Sequence, residues 1–460
     1  MIPSAKITGG MLDALFVYLS ILGILLVVGT AIRLKVPLLK RYHIPASLVA
    51  GVIGLILGPY FLKIIPADIM NCWSGLAGRL IVIIFTPMLM GEIALNNKKT
   101  VKKAIGAICY SYSCCAAQYA LPLLLSLFIL IPLFNVNPLF SVIAEEGWMG
   151  GHGTAGGMAI VFEELKWMDG QSLSITSATV GLLYGIISGM ILINIAARKG
   201  WSRFLHSETS LQNTDLEMYT PDKRPVGTYA TVNNGVIDTF AFHASILCIA
   251  MFIGWLATRA IKMYLGIAVS WFVTAMFAGL LVKKILDKTS WKNSLDKATM
   301  SRIQGLALEF LVAGAVASVN VSVIVTYAIP LIIQQGAMMV LMLFYGVWYC
   351  RRIYGDYWFE NSMISYGTFC GVFATGMLLL KTCDPELKSD ALEVYAVRTP
   401  FTTWSVGGGV ITGMMPFWVV KYGTLKMAII TTVIALVVMA LPKILGCWFP
   451  LEKAEQNCSQ

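Results

Sequence analysis

The stretch EEGWMGGHGTAGGMAIVFEEL, residues 145–165, places four glutamates and six glycines in the middle of a chain that is otherwise mostly apolar. Of the 460 residues, 57% are hydrophobic and 13% are charged, whereas a soluble globular protein carries roughly 25% charged residues. This composition predicts a membrane protein with many spans. The spans should be α-helices, because lipid offers no hydrogen-bond partner to an open backbone and the apolar runs are too long for barrel strands. The expected fold class is therefore all-α.

Apolar runs near the roughly 20 residues that cross the hydrocarbon core predict about eleven transmembrane helices. They are expected at 12–32, 46–65, 73–95, 104–134, 173–197, 239–262, 264–286, 302–319, 325–349, 400–420 and 424–446.

Arginine and lysine concentrate in the loops that follow the odd-numbered spans, for example at 98–103 and 351–352. Because cytoplasmic loops carry this excess, we expect the N-terminus outside and the C-terminus in the cytoplasm. The net charge of +10 is thus spread over short loops. A nucleic-acid-binding face would need these charges gathered on one surface, so no nucleic-acid partner is expected.

Two apolar stretches, 139–165 and 361–381, do not fit this alternation of sides. If either crossed the membrane, every later basic loop would lie outside. Each should therefore enter and leave on the same side, as a re-entrant hairpin. The first should open to the outside and the second to the cytoplasm.

This arrangement predicts two five-helix repeats of opposite orientation, each with one hairpin. The first repeat spans 1–197, a cytoplasmic linker follows at 198–238, and the second repeat spans 239–420. Residues 421–460 add an extra helix and a tail. Ala155, Gly157 and Met158 recur as Ala374, Gly376 and Met377 at one constant interval, which supports the repeat.

The hairpins are the candidate substrate site. Irregular backbone at membrane depth survives only where protein or a watery cavity surrounds it. The amides that begin a half-helix are free donors at a positive dipole end and suit a carboxylate. The predicted substrate-binding residues are Gly151, His152, Gly153, Thr154, Thr375 and Gly376. Tight helix packing through small residues is the alternative for any one glycine, and His152 is either a neutral prop of the loop or a proton carrier.

Few polar side chains lie inside the spans. Those that could bind sodium, together with the Thr154 hydroxyl, are Gln118, Glu309 and Gln334. An ionised carboxylate is costly in hydrocarbon, so Glu309 should face protein or water, as a cation ligand or as a link between helices. The four glutamates of residues 145–165 are expected to stay solvated on the outer side.

Other classes of site find little support. The ten cysteines show no zinc spacing, so no resident metal is predicted. Residues 151–156 match the dinucleotide pattern G-x-G-x-x-G, but that motif has meaning only within a βαβ unit. The sequence contains neither a nucleotide-binding P-loop nor an HExxH motif, and no enzymatic activity is predicted.

The quoted residues resemble the bacterial sodium/glutamate symporter (glutamate permease) family. That family reads S-G-G-H-G-T-G in its first re-entrant segment, where this chain has Gly150–Thr154 preceded by Asn137–Leu139 and, upstream, Gln118. Ile44–Pro45 and the run from Gln334 to Gly371 are also similar, so the resemblance covers about 12–420. It implies a homodimer in the bacterial plasma (inner) membrane, sodium as the coupling ion, and an elevator-type movement of the hairpins and their neighbouring helices.

Two departures from the family pattern bear on the substrate. Met149 replaces the serine before the double glycine, and the second hairpin has residues 373–377 where the family has G-A-T-P-T. The expected function is sodium-coupled symport of glutamate or a related small carboxylate. The alternatives are a transporter of another organic anion, of the 2-hydroxycarboxylate type, coupled to protons or sodium, and an intramembrane enzyme.

Overall fold

The computed structural model describes residues 7–41, 44–90, 98–204, 227–265, 269–384 and 387–449, and within them every regular element is a helix. Parts of four predicted segments lie outside these residues: the end of the span at 73–95, residues 266–268 of the span at 264–286, most of the linker at 198–238, and most of the C-terminal tail.

The first half of the chain contains α1 (Gly9–Lys35), α2 (Pro37–Arg41), α3 (Ala46–Leu57), α4 (Ala67–Phe85), α5 (Lys98–Leu125), α6 (Ile131–Phe134), α7 (Ile143–Trp148), α8 (Gly151–Gly157), α9 (Ala159–Glu164) and α10 (Asp169–Lys199). The second half contains α11 (Thr239–Leu265), α12 (Trp271–Leu286), α13 (Lys297–Ala317), α14 (Val321–Thr326), α15 (Ala328–Leu343), α16 (Cys350–Ile353), α17 (Trp358–Cys370), α18 (Phe373–Cys383), α19 (Ala391–Thr402), α20 (Val410–Tyr422) and α21 (Thr424–Ile444). Short 3₁₀-helices cover Thr86–Leu89 and Pro138–Ser141, and π-helical segments cover Ser126–Leu130 and Phe344–Tyr349.

Eight helical segments among the described residues are long and apolar enough to cross a membrane. They are Gly9–Lys35, Ala67–Leu89, Lys103–Phe134, Asp169–Lys199, Thr239–Leu265, Lys297–Ala317, Ala328–Ile353 and Thr424–Ile444. The chain is thus an all-helical, multi-pass membrane protein, as the composition predicts.

The other three of the eleven predicted spans are not long continuous helices. In place of 46–65, α3 stops at Leu57, because Gly58 precedes Pro59 and a residue before proline avoids the helical region. At the predicted span 264–286, the regular helix α12 begins only at Trp271 and has 16 residues, fewer than the roughly 20 expected of a span. In place of 400–420, the chain breaks between α19 and α20, where Gly407 and Gly408 have positive φ values of 65° and 105°. Apolar runs alone do not reveal such breaks.

The helices form two groups, which we call the scaffold bundle (α1, α3, α4, α11, α12 and α13) and the hairpin bundle (α5, α7–α10 and α15–α21). In the scaffold bundle, α1 packs on α3, α11 packs on α12, and α13 contacts both α3 and α4. In the hairpin bundle, α5 packs along α21 and α19, and α10 contacts α7, α8, α17 and α18. Each bundle draws helices from both halves of the chain.

Close contact between α1 and α3 depends on Gly29. A Cβ atom at this position would lie 2.7 Å from the carbonyl oxygen of Ala46 and 2.9 Å from the Cβ of Ala50. Gly23, in the same helix, has nothing within 4 Å of the equivalent position. These two glycines therefore form a matched pair for a test of the packing.

We expect Gly29→Ala to lower the stability of the purified protein by about 1–3 kcal/mol, the usual cost of overpacking. Gly23→Ala should leave stability unchanged or raise it, since alanine is the better helix former by roughly 1 kcal/mol. The thermal midpoint in detergent measures both. Equal effects of the two substitutions would contradict the close α1–α3 contact.

Candidate functional site

Residues 138–164 form a hairpin along the first part of α10, which we call hairpin one. On the entering limb, the Glu146 carboxylate accepts a hydrogen bond of 2.7 Å from the Ser174 hydroxyl. Trp148, further along, lies against Gly181 of α10. On the returning limb, the Gly156 carbonyl accepts a bond of 3.3 Å from the Gln171 side chain. The chain thus advances along α10 and then returns towards its N-terminal end.

Residues 358–383, hairpin two, run along the same helix from its other end. The beginning and the end of this hairpin meet at Ser202, whose hydroxyl contacts both the Glu360 carboxylate at 2.7 Å and the Cys383 carbonyl at 3.4 Å. Further along, the Tyr366 and Ser188 hydroxyls are 2.6 Å apart. The two limbs α17 and α18 pack directly on each other.

The tips of the two hairpins meet at Gly181. A Cβ atom on this residue would lie 2.5 Å from the Cys370 carbonyl oxygen of hairpin two and 3.0 Å from the Trp148 ring of hairpin one. Gly181 is about 18 Å from the first residue of α10 and about 27 Å from its last, at 1.5 Å per residue. Gly151, with a φ of 67°, also brings its Cα next to Val372 and the Gly371 carbonyl. We call this meeting point the junction.

A third interrupted segment, 403–409 between α19 and α20, reaches the junction. The Gly407 amide donates to the Glu145 carboxylate at 3.2 Å, and a Cβ at Gly407 would be 3.2 Å from the Met149 carbonyl. A Cβ at Gly408 would be 2.5 Å from the Thr154 hydroxyl. Sequence reasoning missed this segment because it lies inside an apolar run, although three consecutive glycines at 407–409 were a visible signal.

The predicted substrate residues of hairpin one lie at or beside the junction. Gly151 forms the turn, and His152 is buried with its Nε2 3.0 Å from the Thr179 hydroxyl. Gly153 is partly exposed and faces the side chain of Leu308. Thr154 is buried beneath the third segment.

In hairpin two, the amides of Thr375 and Gly376 donate to the Val372 carbonyl at 2.9 and 3.2 Å. The amides at the open start of α18 are therefore those before Thr375, beginning with Phe373, because a helix leaves its first N–H groups without internal partners. Gly376 itself packs between the limbs, against the Ile364 carbonyl and Thr368.

The predicted sodium ligands do not converge. The Gln118 side chain, on α5, donates to the Phe369 carbonyl of hairpin two at 3.0 Å. The Gln334 side chain, on α15, donates to the Phe140 carbonyl of hairpin one at 2.8 Å. Glu309 is exposed on α13. Each glutamine thus fixes the hairpin that belongs to the other half of the chain.

The expectation that all four glutamates of residues 145–165 are solvated is wrong for two of them. Glu145 and Glu146 have no exposed surface, because α7 is enclosed by α5, α10 and α15. Glu163 and Glu164 are exposed and pair with scaffold cations, Glu163 with Arg79 at 3.3 Å and Glu164 with Lys262.

Arg398 is a further buried charge that sequence reasoning missed. It is 3% exposed, and its Nη1 donates to the Ser111 hydroxyl at 2.9 Å. The residue lies in α19, outside every predicted span, so the apolar pattern did not mark it as a residue of the bundle interior.

Broken helices that meet inside a helical membrane bundle, with free helix ends pointing at one place, are typical of secondary transporters. The sequence model described as Sodium/glutamate symporter matches residues 11–377. The chain therefore belongs to the sodium/glutamate symporter family, and the resemblance inferred from its motifs is confirmed. No curated protein matches the chain.

Among solved structures, the chain is similar to the sodium proton antiporter MjNhaP1 from Methanocaldococcus jannaschii. The sequence identity is 16%, the alignment covers 92% of this chain and 99% of that chain, and the TM-score is 0.38.

Gly181→Ala tests the junction, because the added methyl group would overlap the Cys370 carbonyl and the Trp148 ring. We expect a loss of stability of about 1–3 kcal/mol from overpacking, measured as the thermal midpoint in detergent. The matched control is Gly336→Ala on α15, where nothing lies within 4 Å of the added atom. If Gly181→Ala were as stable as this control, the tips would not meet on α10.

Proposed function

We propose that this protein is a sodium-coupled symporter of glutamate or a related small carboxylate, and that it works by an elevator-type movement. The observation that carries this proposal is the junction, where two hairpins from opposite ends of α10 bring their tips together. Such a junction offers helix N-termini to an anion and helix C-terminal carbonyls to a cation at one place.

Several matched features support an inverted repeat. Ser126 and Phe344, which begin the two π-helical segments, are 218 positions apart, and Gly151 and Gly371 at the hairpin tips are 220 apart. These intervals agree with that of the sequence echo at the hairpins.

Glycine contacts within the scaffold bundle support the same correspondence. Gly29 of α1 allows close contact with α3, and Gly254 of α11 allows close contact with α12. Gly51 of α3 packs on α13, and Gly279 of α12 packs on Thr86 at the end of α4. In the first half α3 thus packs against α13 of the second half, and α12 of the second half packs against the end of α4 of the first.

The surface between the two bundles suits a sliding movement. Gly153, Gly156 and Gly157 of α8 face the scaffold helices α13 and α4, with no long side chain of their own to interlock. At the outer end, the ion pairs of Glu163 and Glu164 join hairpin one to the scaffold. Exposed pairs of this kind contribute roughly 0–1 kcal/mol each, so they can break as the hairpin bundle moves.

In this mechanism the open start of α18 and the start of α8 bind the substrate carboxylate. Sodium binds to oxygens at the C-terminal ends of α7 and α17, among them the Met149 and Cys370 carbonyls, and to the Thr154 hydroxyl. Gln118 and Gln334 hold the two hairpins at the correct depth rather than binding the ion. Substrate and sodium are then carried together with the hairpin bundle.

The rest of the proposal follows from family membership and from the basic loops. The protein works as a homodimer in the bacterial plasma membrane, with α3 and α12 towards the dimer contact, the N-terminus outside and the C-terminus in the cytoplasm. Transport of another organic anion, such as a 2-hydroxycarboxylate, is the second candidate, because Met149 and residues 373–377 depart from the family pattern. Because the family consists of transporters, an intramembrane enzyme is not favoured.

Uptake of radiolabelled glutamate and other small carboxylates into proteoliposomes tests the function. We expect saturable uptake with an inward sodium gradient and at least about tenfold less with potassium in its place. If the uptake of every acid were equal with and without the sodium gradient, the proposal would be contradicted.

Gly153→Leu tests the site in the same assay. The leucine side chain would fill the approach to the start of α8, while its nearest neighbour is the flexible end of Leu308, so the protein should fold and lose uptake. Gly336→Leu, at an exposed position of α15, is the control and should keep uptake. Normal uptake by Gly153→Leu would place the substrate elsewhere.

A further inference from the structure

Arg398 is a buried cation without a carboxylate partner among the described residues. None of the ion pairs between described residues includes it. Its guanidinium lies 5.0 Å from the centre of the Phe369 ring and 4.4 Å from that of Tyr395. Its Nε is buried and has no acceptor in the described part of the chain.

A lone arginine inside a helical bundle is unfavourable for stability. Removing a charge from water costs several kcal/mol, and one neutral hydroxyl partner with two ring contacts offsets only part of this. Apolar residues of similar size commonly pack such a position at least as well. Arginine is also the side chain best suited to hold a carboxylate through two parallel hydrogen bonds. A negative ligand is therefore the missing partner.

Two aromatic rings connect Arg398 with the start of α18, the returning helix of hairpin two. The Tyr395 ring, which contacts the guanidinium, also stacks on the Phe373 ring with 4.9 Å between centres. Phe373 is the first residue of α18 and is 45% exposed. The guanidinium and the free amides of α18 are thus separated by one pair of stacked rings.

We propose that Arg398 and the start of α18 together bind a carboxylate group of the transported substrate, with the Tyr395–Phe373 ring pair forming the wall that a substrate displaces. This inference rests on the proposed function, since it assigns the anion-binding residue of that site. The Nε edge of the guanidinium accommodates the carboxylate, while Nη1 stays on Ser111.

Arg398→Met separates a ligand role from a structural one. Without substrate, the variant should be as stable as the wild type or more stable, because a buried charge is removed. Its affinity for the transported acid should fall about tenfold or more, as expected for loss of a charge-assisted hydrogen bond. Thermal midpoints and calorimetric titration with glutamate and other small carboxylates measure the two effects. Arg302→Met, which removes an exposed arginine near the start of the scaffold helix α13, is the control and should keep the affinity.

The outcomes distinguish this inference from the proposed function. If the wild type neither binds nor transports any carboxylate, the proposed function is wrong. If the wild type binds an acid and Arg398→Met binds it equally well, Arg398 is not the anchor. If Arg398→Met does not fold, Ser111→Ala replaces it: the freed guanidinium should lower the affinity in a stable protein, and an unchanged affinity overturns the assignment.

Glu146 carries a second, independent inference. The neighbouring Glu145 carboxylate accepts hydrogen bonds from the Tyr119 and Thr412 hydroxyls and from the Gly407 amide, so it is well satisfied as an anion. Glu146 receives one bond, from Ser174, and its Oε1 is buried without a partner among the described residues.

In the described part of the chain, the groups around Glu146 include no cation. From α5, Cys115 and Tyr119 face the glutamate pair. From α8, His152 turns to Thr179 of α10, and Tyr184 of α10 packs on the Trp148 ring. Helix α15 and residues 138–141 carry no titratable side chain. Two adjacent buried carboxylates without a cation cannot both be ionised at low cost.

We infer that Glu146 binds a proton at Oε1 and releases it during transport, so that a proton moves in addition to sodium. A single proton on Oε1 neutralises Glu146 and needs no other ligand. A bound sodium ion would instead need a shell of several oxygens. In the wild type, a pH-sensitive dye inside proteoliposomes should report proton movement that accompanies substrate uptake.

Glu146→Gln, which resembles the protonated acid, should fold and exchange substrate across the membrane while the accompanying proton movement disappears. Asp68→Asn, at an exposed aspartate near the start of α4, is the control and should behave as the wild type. Substrate uptake without proton movement in the wild type would overturn the inference, and so would unchanged proton movement in Glu146→Gln. An unfolded Glu146→Gln protein would also count against it, because a neutral group should fit there.

Discussion

A backbone that leaves the helix inside a membrane must be enclosed by protein, because lipid cannot satisfy its polar groups. In this molecule α10 provides that enclosure. Its glycines at 181, 185 and 189 leave room for the two hairpins, and its serines at 174, 177 and 188 supply hydrogen bonds to them or to the residues that hold them. Both hairpins can therefore end in mid-bundle without exposing bare amides or carbonyls to lipid.

The hairpins are also held by amide side chains from outside α10. Gln118 reaches a carbonyl of hairpin two, and Gln334 reaches a carbonyl of hairpin one, while Gln335 accepts from the Trp148 ring nitrogen at 2.6 Å. An amide carries no net charge, so it costs less to bury than an ion. The described residues bury five charged side chains, those of Glu145, Glu146, Glu360, Asp384 and Arg398, although hydrogen bonds of this neutral kind would suffice for structure alone.

The chain reversals at 138–164 and 358–383 and their order along the chain could be predicted from the sequence. That prediction rested on assigning each loop to one side of the membrane from its basic residues. The length of the apolar runs alone does not contain this information. The break at 407–409 could not be predicted in this way, because the flanking residues are as apolar as those of a continuous span. The burial of Glu145 and Glu146 could not be predicted either, since it depends on side chains from α5 and α20 that are distant in sequence. Gln118 and Gln334 were recognised as important, but their partners belong to the other half of the fold.

The two hairpins differ in one respect that bears on movement. Gly157 of hairpin one and Gly376 of hairpin two correspond in the proposed repeat, yet they have different neighbours. Gly157 packs against Ile81 of the scaffold helix α4, whereas Gly376 packs against α17 within its own hairpin. If the two halves are inverted copies, each can adopt the arrangement that the other shows. In the alternate state of the proposed movement, hairpin two would then dock on the scaffold and hairpin one would close on itself.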